Sequence, residues 1–347
     1  MVEQRIENPC VGSSILPLAT NISTGVPWNP RACLQIRLPA FTARFCLRVP
    51  LRPTRQPGYN RRMTSVADHQ RRFGGIERLY GAGALARAAA AHVVVVGIGG
   101  VGSWAAEALA RSAIGQLTLI DLDHVAESNI NRQIHALDST LGAAKTAAMA
   151  ARIAQINPAC VVTTVEEFID ERNPASLIPP CSAVLDAIDH VRAKAALIAW
   201  CRRAGIRIVT TGAAGGRSDP TRIEVIDLSR TTQDALASKV RAQLRKDYGF
   251  PRDPKKKFGV DCVFSAEPIR RPAHILGGFA QPPTGVGAEQ CSANSPHRPA
   301  SANSCAVDEG FDAGAGLNCA GYGSAVAVTA SFGFAAAARV LAGILPA

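Results

Sequence analysis

The chain of 347 residues contains no Cys-x-x-Cys pair among its ten cysteines. A four-cysteine zinc ribbon and a thioredoxin-type redox motif are therefore excluded. Ten cysteines in a chain this long do not make a disulfide scaffold, and mostly free thiols in a reducing compartment are expected. The N-terminal stretch lacks a continuous apolar segment of the secretory kind. It also lacks lysine: residues 1–62 hold nine Arg and two acids, a local +7. The remaining 285 residues carry 29 bases and 25 acids, so the overall +11 shrinks to +4 in the body. A mildly basic body permits a nucleic-acid partner without requiring one.

Residues 1–62, rich in Pro, Arg and Ser, show no sustained periodicity. They read as a disordered or wrongly assigned extension preceding a start at Met63. An Arg-rich, acid-poor organellar transit peptide is the alternative, so a cytoplasmic location becomes organellar if the extension targets the chain. Residues 63–347 are expected to form one catalytic domain, with a Pro/Ser/Gly/Ala-rich interruption at about 268–305. The apolar segment SAVAVTASFGFAAAARVLAGIL, interrupted by Arg339 and dominated by small residues, is expected to be a buried core helix, not a membrane span.

From Ala91 the pattern becomes regular. HVVVVG reads as a buried strand, GIGGVG as a glycine turn, SWAAEALARSAI as a helix and QLTLIDLD as a second strand. Together they form one βαβ unit. A helix over Lys145–Ile156, strands at VVTTVEEF and SAVLDAID, the helix AKAALIAWCRRAG and strands at IRIVTTG and RIEVIDL follow. Such alternation predicts an α/β fold, a Rossmann-like, mostly parallel sheet with helices on both faces.

Gly97, Gly99, Gly100 and Gly102 lie between a strand and a helix, where glycine lets phosphate oxygens approach backbone amides. Asp121 or Asp123, at the end of LIDLD, can hydrogen-bond ribose hydroxyls. To this point a dinucleotide enzyme fits equally well. The segment Asn129–Gln133 and Lys145 break the tie: an Arg and a Lys converging here suit the β- and γ-phosphates of a triphosphate. Asp189, after the strand SAVLDAID, is placed to hold Mg²⁺. Strand carboxyl ends of a doubly wound sheet line one crevice, so these groups can meet there.

GIGGVGSWAAEALARSAIGQLTLIDLD, SNINRQIHAL, the Lys145 region and LDAIDHVRAKAALIAWC resemble the adenylating domain of the ubiquitin-activating-enzyme-like superfamily. Within it, RRFGGIERLYG, INRQIHAL, TTGAAGG, SDPTRIEV and GVDCVFS resemble the tRNA threonylcarbamoyladenosine dehydratases, which close that side chain into a ring beside the anticodon. The absence of paired CxxC motifs accords with the resemblance, and no zinc is expected. The resemblance implies ATP and Mg²⁺ as cofactors, tRNA as substrate, a homodimer and sulfur-relay proteins as further partners. It implies that the glycine loop cradles phosphates and that Asp123, in preference to Asp121, binds ribose. Asn131, Arg132 and Lys145 contact the triphosphate, Asp189 takes Mg²⁺, and Arg78 is lent across the dimer interface. Arg78 as a plain surface charge is the alternative.

Cys262 in GVDCVFS is the cysteine for a thioester, if one forms; a buried structural thiol is the alternative, as it is for Cys201. Arg241, Arg245, Lys246, Arg252, Lys255, Lys256 and Lys257 offer phosphate contacts to tRNA, against the alternative of a solvated charged face. His135 and His190 are read as structural. Two competing functions remain: adenylation of a ubiquitin-like or sulfur-carrier protein's C-terminus, and a non-enzymatic dinucleotide-binding module.

Overall fold

A computed structural model describes residues 68–270 and 322–345 of the chain. The extension at 1–62 and the interruption from 271 to 305 lie outside the described residues.

Strands β1 (His92–Val96), β2 (Gln116–Ile120), β3 (Val161–Val165), β4 (Ala183–Asp186), β5 (Ile208–Thr211), β6 (Ile223–Asp227) and β7 (Asp261–Ser265) form one seven-stranded sheet. Their order is β3-β2-β1-β4-β5-β7-β6, and every pairing is parallel except that of β6 with β7. This is the Rossmann-like, mostly parallel sheet expected from the alternation. The expectation did not include β7 as a strand. Order reverses between β1 and β4, and the crevice of a doubly wound sheet opens at such a switch point.

The four valines of β1 show why the centre is apolar without alternation. Val93 and Val95 join one hydrophobic cluster, Val94 and Val96 the other, because both faces are covered. One face carries α1 (His69–Tyr80), α2 (Ala84–Ala90), α3 (Gly102–Arg111) and α4 (Lys145–Ile156). A short α5 (Pro174–Leu177) precedes β4; α6 (Val191–Arg203) and α7 (Ala235–Asp247) cover the other face. Asp68 and Asp234 cap α1 and α7 by accepting from Arg71 N (3.0 Å) and Ala237 N (2.8 Å).

The last helix, α8 (Val326–Ile344), is long and apolar enough to cross a membrane. It instead buries Val328, Phe332, Ala336 and Val340, one stripe at four-residue spacing, in the same cluster as α3. A Cβ on Gly333 would sit 2.6 Å from Val101 O, so glycine lets the two helix backbones meet. Truncating the fully buried Phe332 to alanine should cost about 3–5 kcal/mol.

Candidate active site

A cavity of about 690 Å³ opens at the carboxyl ends of β1, β2, β4 and β5. Its floor is the glycine turn. Gly97 has φ +85°, and a Cβ there would stand 2.9 Å from Ala187 O in the loop after β4. Gly99 and Gly100 line the cavity, and a Cβ on Gly99 would meet nothing within 4 Å. Gly102 does not line it. Its hydrogen faces Gly97 O, so the need for glycine there is closure of the turn.

Asp121 and Asp123 divide their work. Asp121, buried at 8% exposure, accepts from Ile98 N at 2.6 Å and Asp123 N at 2.9 Å. Both oxygens therefore brace the glycine turn and the end of β2. Burial raises its pKa against the pull of Lys145 and those amides. Asp123, with its side chain 54% exposed, pairs through Oδ2 with Lys145 Nζ at 2.6 Å. Lys145 opens α4, and its amide donates to Asp123 O at 3.0 Å, so backbone and side chain tie the two together.

Arg132 is fixed by its own backbone. Its carbonyl accepts from Trp104 Nε1 on α3 (2.9 Å) and Thr329 Oγ1 on α8 (3.4 Å). The side chain lies over Gly100 and donates from Nη1 to Ser128 O (2.6 Å) and Asn131 Oδ1 (3.0 Å). Partial burial lowers its pKa. Asn131, expected to touch the triphosphate, does not line the cavity. It is exposed and donates to Ser324 O at 2.9 Å, holding Arg132 against the C-terminal segment.

β4 ends at Asp186, and Asp189 follows three residues later, exposed on the cavity wall. The two acids are not equivalent. Asp186 is fully buried, paired with Lys194 Nζ at 2.9 Å, and accepts from Thr210 Oγ1 at 2.6 Å. Asp189 is the available carboxylate. Among the described residues no group of three His, Cys, Asp or Glu could cage a metal ion. Mg²⁺ normally keeps waters and uses one or two carboxylates plus phosphate oxygens, and Asp189 beside a phosphate-sized floor fits that mode.

Residues given no individual role from the sequence complete the walls: Gln133, the segment Glu167–Ile169, and Ser324 with Thr329. The turn Thr211–Gly215, legible in the sequence only as part of a resemblance, is braced by Asp234, whose Oδ2 accepts from Ala213 N at 2.9 Å. His190 lines the cavity while its Nδ1 caps α6, accepting from Ala193 N at 3.3 Å.

The two cysteines, the basic run and Arg78 all lie outside the lining of this cavity. Cys262 is fully buried in β7 between β5 and β6 and does not reach the cavity. Burial pushes its thiol pKa far up, so a thiolate nucleophile is disfavoured there. Cys201 is likewise buried, its thiol pushed up to about 12. In the basic run, Arg241 donates to Thr231 Oγ1, and Arg245 donates to Pro251 O at 3.2 Å with its guanidinium 5.2 Å from the Phe258 ring centroid. Both work within the protein, whereas Lys246, Arg252, Lys255, Lys256 and Lys257 are exposed. Arg78 is exposed on α1 and does not line the cavity of its own chain.

A glycine turn opening a helix, two cations and an exposed carboxylate, all at a sheet's switch point, are what an ATP-using adenylating enzyme of the α/β class requires, and the chain's relatives place it in that class. The chain belongs to the ThiF family, whose model matches residues 71–345. It is 50% identical over 274 residues to the tRNA threonylcarbamoyladenosine dehydratase of Escherichia coli, covering 78% of this chain and 92% of that one. It is 44% identical over 281 residues to the Haemophilus influenzae protein of the same name, covering 80% and 95%. The crystal structure of the E. coli tRNA N6-threonylcarbamoyladenosine dehydratase in complex with ATP superposes with a TM-score of 0.65 at 46% identity, covering 81% of this chain and 97% of that chain.

Proposed function

We propose that this enzyme uses ATP to cyclise N6-threonylcarbamoyladenosine in tRNA by dehydration. The observation that carries the reading is the convergence of Gly99, Gly100, Arg132, Lys145 and Asp189 on one cavity, in a chain half identical to a dehydratase of that name.

The glycine turn presents amides to the phosphates, and Asp121 holds that turn in place. Asp123 takes the ribose hydroxyls. Arg132 and Lys145 neutralise charge on the β- and γ-phosphates as the threonyl carboxylate attacks the α-phosphorus and pyrophosphate leaves. Asp189 would hold Mg²⁺, which supplies further charge neutralisation on the phosphates when bound. The resulting acyl-adenylate is attacked by the neighbouring carbamoyl group, and AMP departs as the ring closes. Reacting groups on one side chain have high effective molarity, so no protein nucleophile is required, in keeping with the burial of Cys262. Arg78 reaches the site of a second copy in a homodimer, Lys246 and Lys255–Lys257 contact tRNA phosphates, and sulfur-relay proteins are further partners. The reaction belongs to the cytoplasm.

The test is AMP release from ATP with three substrates in parallel: tRNA bearing threonylcarbamoyladenosine, tRNA lacking it, and a ubiquitin-like carrier protein. AMP with the modified tRNA alone, accompanied by loss of one water from the nucleoside, is the expected result. AMP with the carrier would keep the pocket and overturn the substrate.

A further inference from the structure

A second cavity, of about 730 Å³, lies against α1, α3 and α4, away from the glycine turn. It gathers Arg72, Arg111 and Arg152 with the hydroxyls of Ser139 and Thr140, and His135 lines it. These groups are mainly hydrogen-bond donors. The opposing charge is Glu107, which accepts from Arg111 Nε at 2.8 Å and from Arg152 Nε and Nη2 at 2.7 and 3.1 Å. Three guanidiniums against one carboxylate leave a surplus of positive charge. Arg72 makes no ion pair among the described residues; its Nη1 donates to Ile156 O at 2.7 Å and Gln155 O at 3.5 Å. His135 is 2% exposed, and neither ring nitrogen has a hydrogen-bond partner. A neutral imidazole always carries one N–H, and a buried donor left unpaired calls for an acceptor.

We infer that this second cavity binds a phosphate group of the RNA substrate. Guanidinium forks match phosphate oxygens in geometry as well as charge, and hydroxyls complete such a site. The segment between Arg132 and Leu137 forms a wall of both cavities: Arg132 and Gln133 face the first, His135 and Leu137 the second. A phosphate seated here would hold the segment that carries Arg132, registering the RNA on the enzyme while its modified nucleoside enters the first cavity. The inference rests on the functional reading above.

Arg111→Gln is the cleaner probe, because Glu107 keeps both bonds to Arg152. Arg72→Gln, with Arg72→Lys as the charge-retaining control, is the second. Binding of modified tRNA to the full chain is measured against salt concentration. Each glutamine variant is expected to weaken binding several-fold and to lower the slope of log affinity against log salt by about 0.7–0.9. The KM for ATP stays at the wild-type value, and Arg72→Lys restores most of the affinity. Unchanged affinity and slope in both glutamine variants overturn the inference. A titration with inorganic phosphate, read by the His135 ring signals in NMR, separates the two sources of the anion. Phosphate binding lost in Arg111→Gln while tRNA affinity is untouched marks a small-anion site and also overturns it. A wild-type chain that turns over modified tRNA while the variants bind normally sinks this inference alone; a wild type inert toward that tRNA sinks the functional reading beneath it.

Discussion

Lys145 Nζ stands 2.6 Å from Asp123 Oδ2, and the two residues are also joined by a backbone hydrogen bond of 3.0 Å. The cation expected to meet phosphate is thus placed by the acid expected to meet ribose. That pair ties the first turn of α4 to the segment after β2, so the proposed ribose and phosphate contacts are held together by one local unit.

Lys145→Met should therefore lower AMP formation by roughly 100- to 1000-fold, the range for loss of one transition-state charge contact. Asp123 is half exposed and remains solvated without its partner, so the melting temperature should move little. AMP release and thermal unfolding on the same preparation check this. Turnover equal to wild type would remove Lys145 from the phosphate site.

Asp189 and Asp186 make a contrasting pair. Asp189→Asn should abolish the dependence of turnover on Mg²⁺ concentration in its normal range, with the fold intact, because the side chain is exposed. Asp186→Asn leaves Lys194 buried at 1% exposure without its countercharge. Breaking a buried pair in that way costs about 3–5 kcal/mol. Denaturant unfolding of both variants, beside a Mg²⁺ titration of activity, separates the roles. A stable Asp186→Asn and a destabilised Asp189→Asn would reverse the assignment.

Cys262→Ala should keep turnover per folded molecule within about twofold, since a thiol sealed in the sheet touches no reacting atom. The cost falls on stability: loss of a buried sulfur leaves a small void, worth about 1–2 kcal/mol. Trapping with a thiol-reactive acyl-adenylate analogue gives the opposite reading if Cys262 is labelled at the rate of turnover.

The fold was largely legible because its signals are local. Four valines at β1, the glycine turn and the acids closing β2 all fall within about thirty residues, and each element's periodicity or turn chemistry is complete in itself. Less legible was α7, whose buried Leu236, Ala237, Val240 and Leu244 keep helical spacing under a run of charges that reads as a solvent face. The charges of Arg241 and Arg245 turn inward because Thr231 and the Phe258 ring lie beneath them, and neither partner is adjacent in sequence. The same holds in the site. Ser324 meets Asn131 and Thr329 meets Arg132 across nearly two hundred residues, a meeting set by the packing of α8 on α3. The resemblance favoured Asp123 over Asp121 for ribose, but nothing in the sequence assigned Asp121 its own task; its burial and its two amide bonds show that it braces the loop.

His135 makes stability depend on pH with a definite sign. Burial, with Lys145 and Arg152 close by, holds its pKa at about 4, below its ordinary value of 6.5. The unfolded chain then takes up a proton at a pH where the folded chain does not, so acid favours unfolding. Stability is fully present above pH 6.5 and falls as pH drops toward 4. Each tenfold difference in proton affinity between the folded and unfolded chain is worth about 1.4 kcal/mol, so the loss across the window is on the order of 3 kcal/mol. His135→Gln cannot protonate there and should flatten the unfolding free energy across the same window, whatever its absolute stability. Urea unfolding on either side of pH 6.5 is the measurement. Equal pH slopes for wild type and variant would mean that His135 takes up a proton as readily in the folded protein as in the unfolded chain, so that burial does not hold its pKa down.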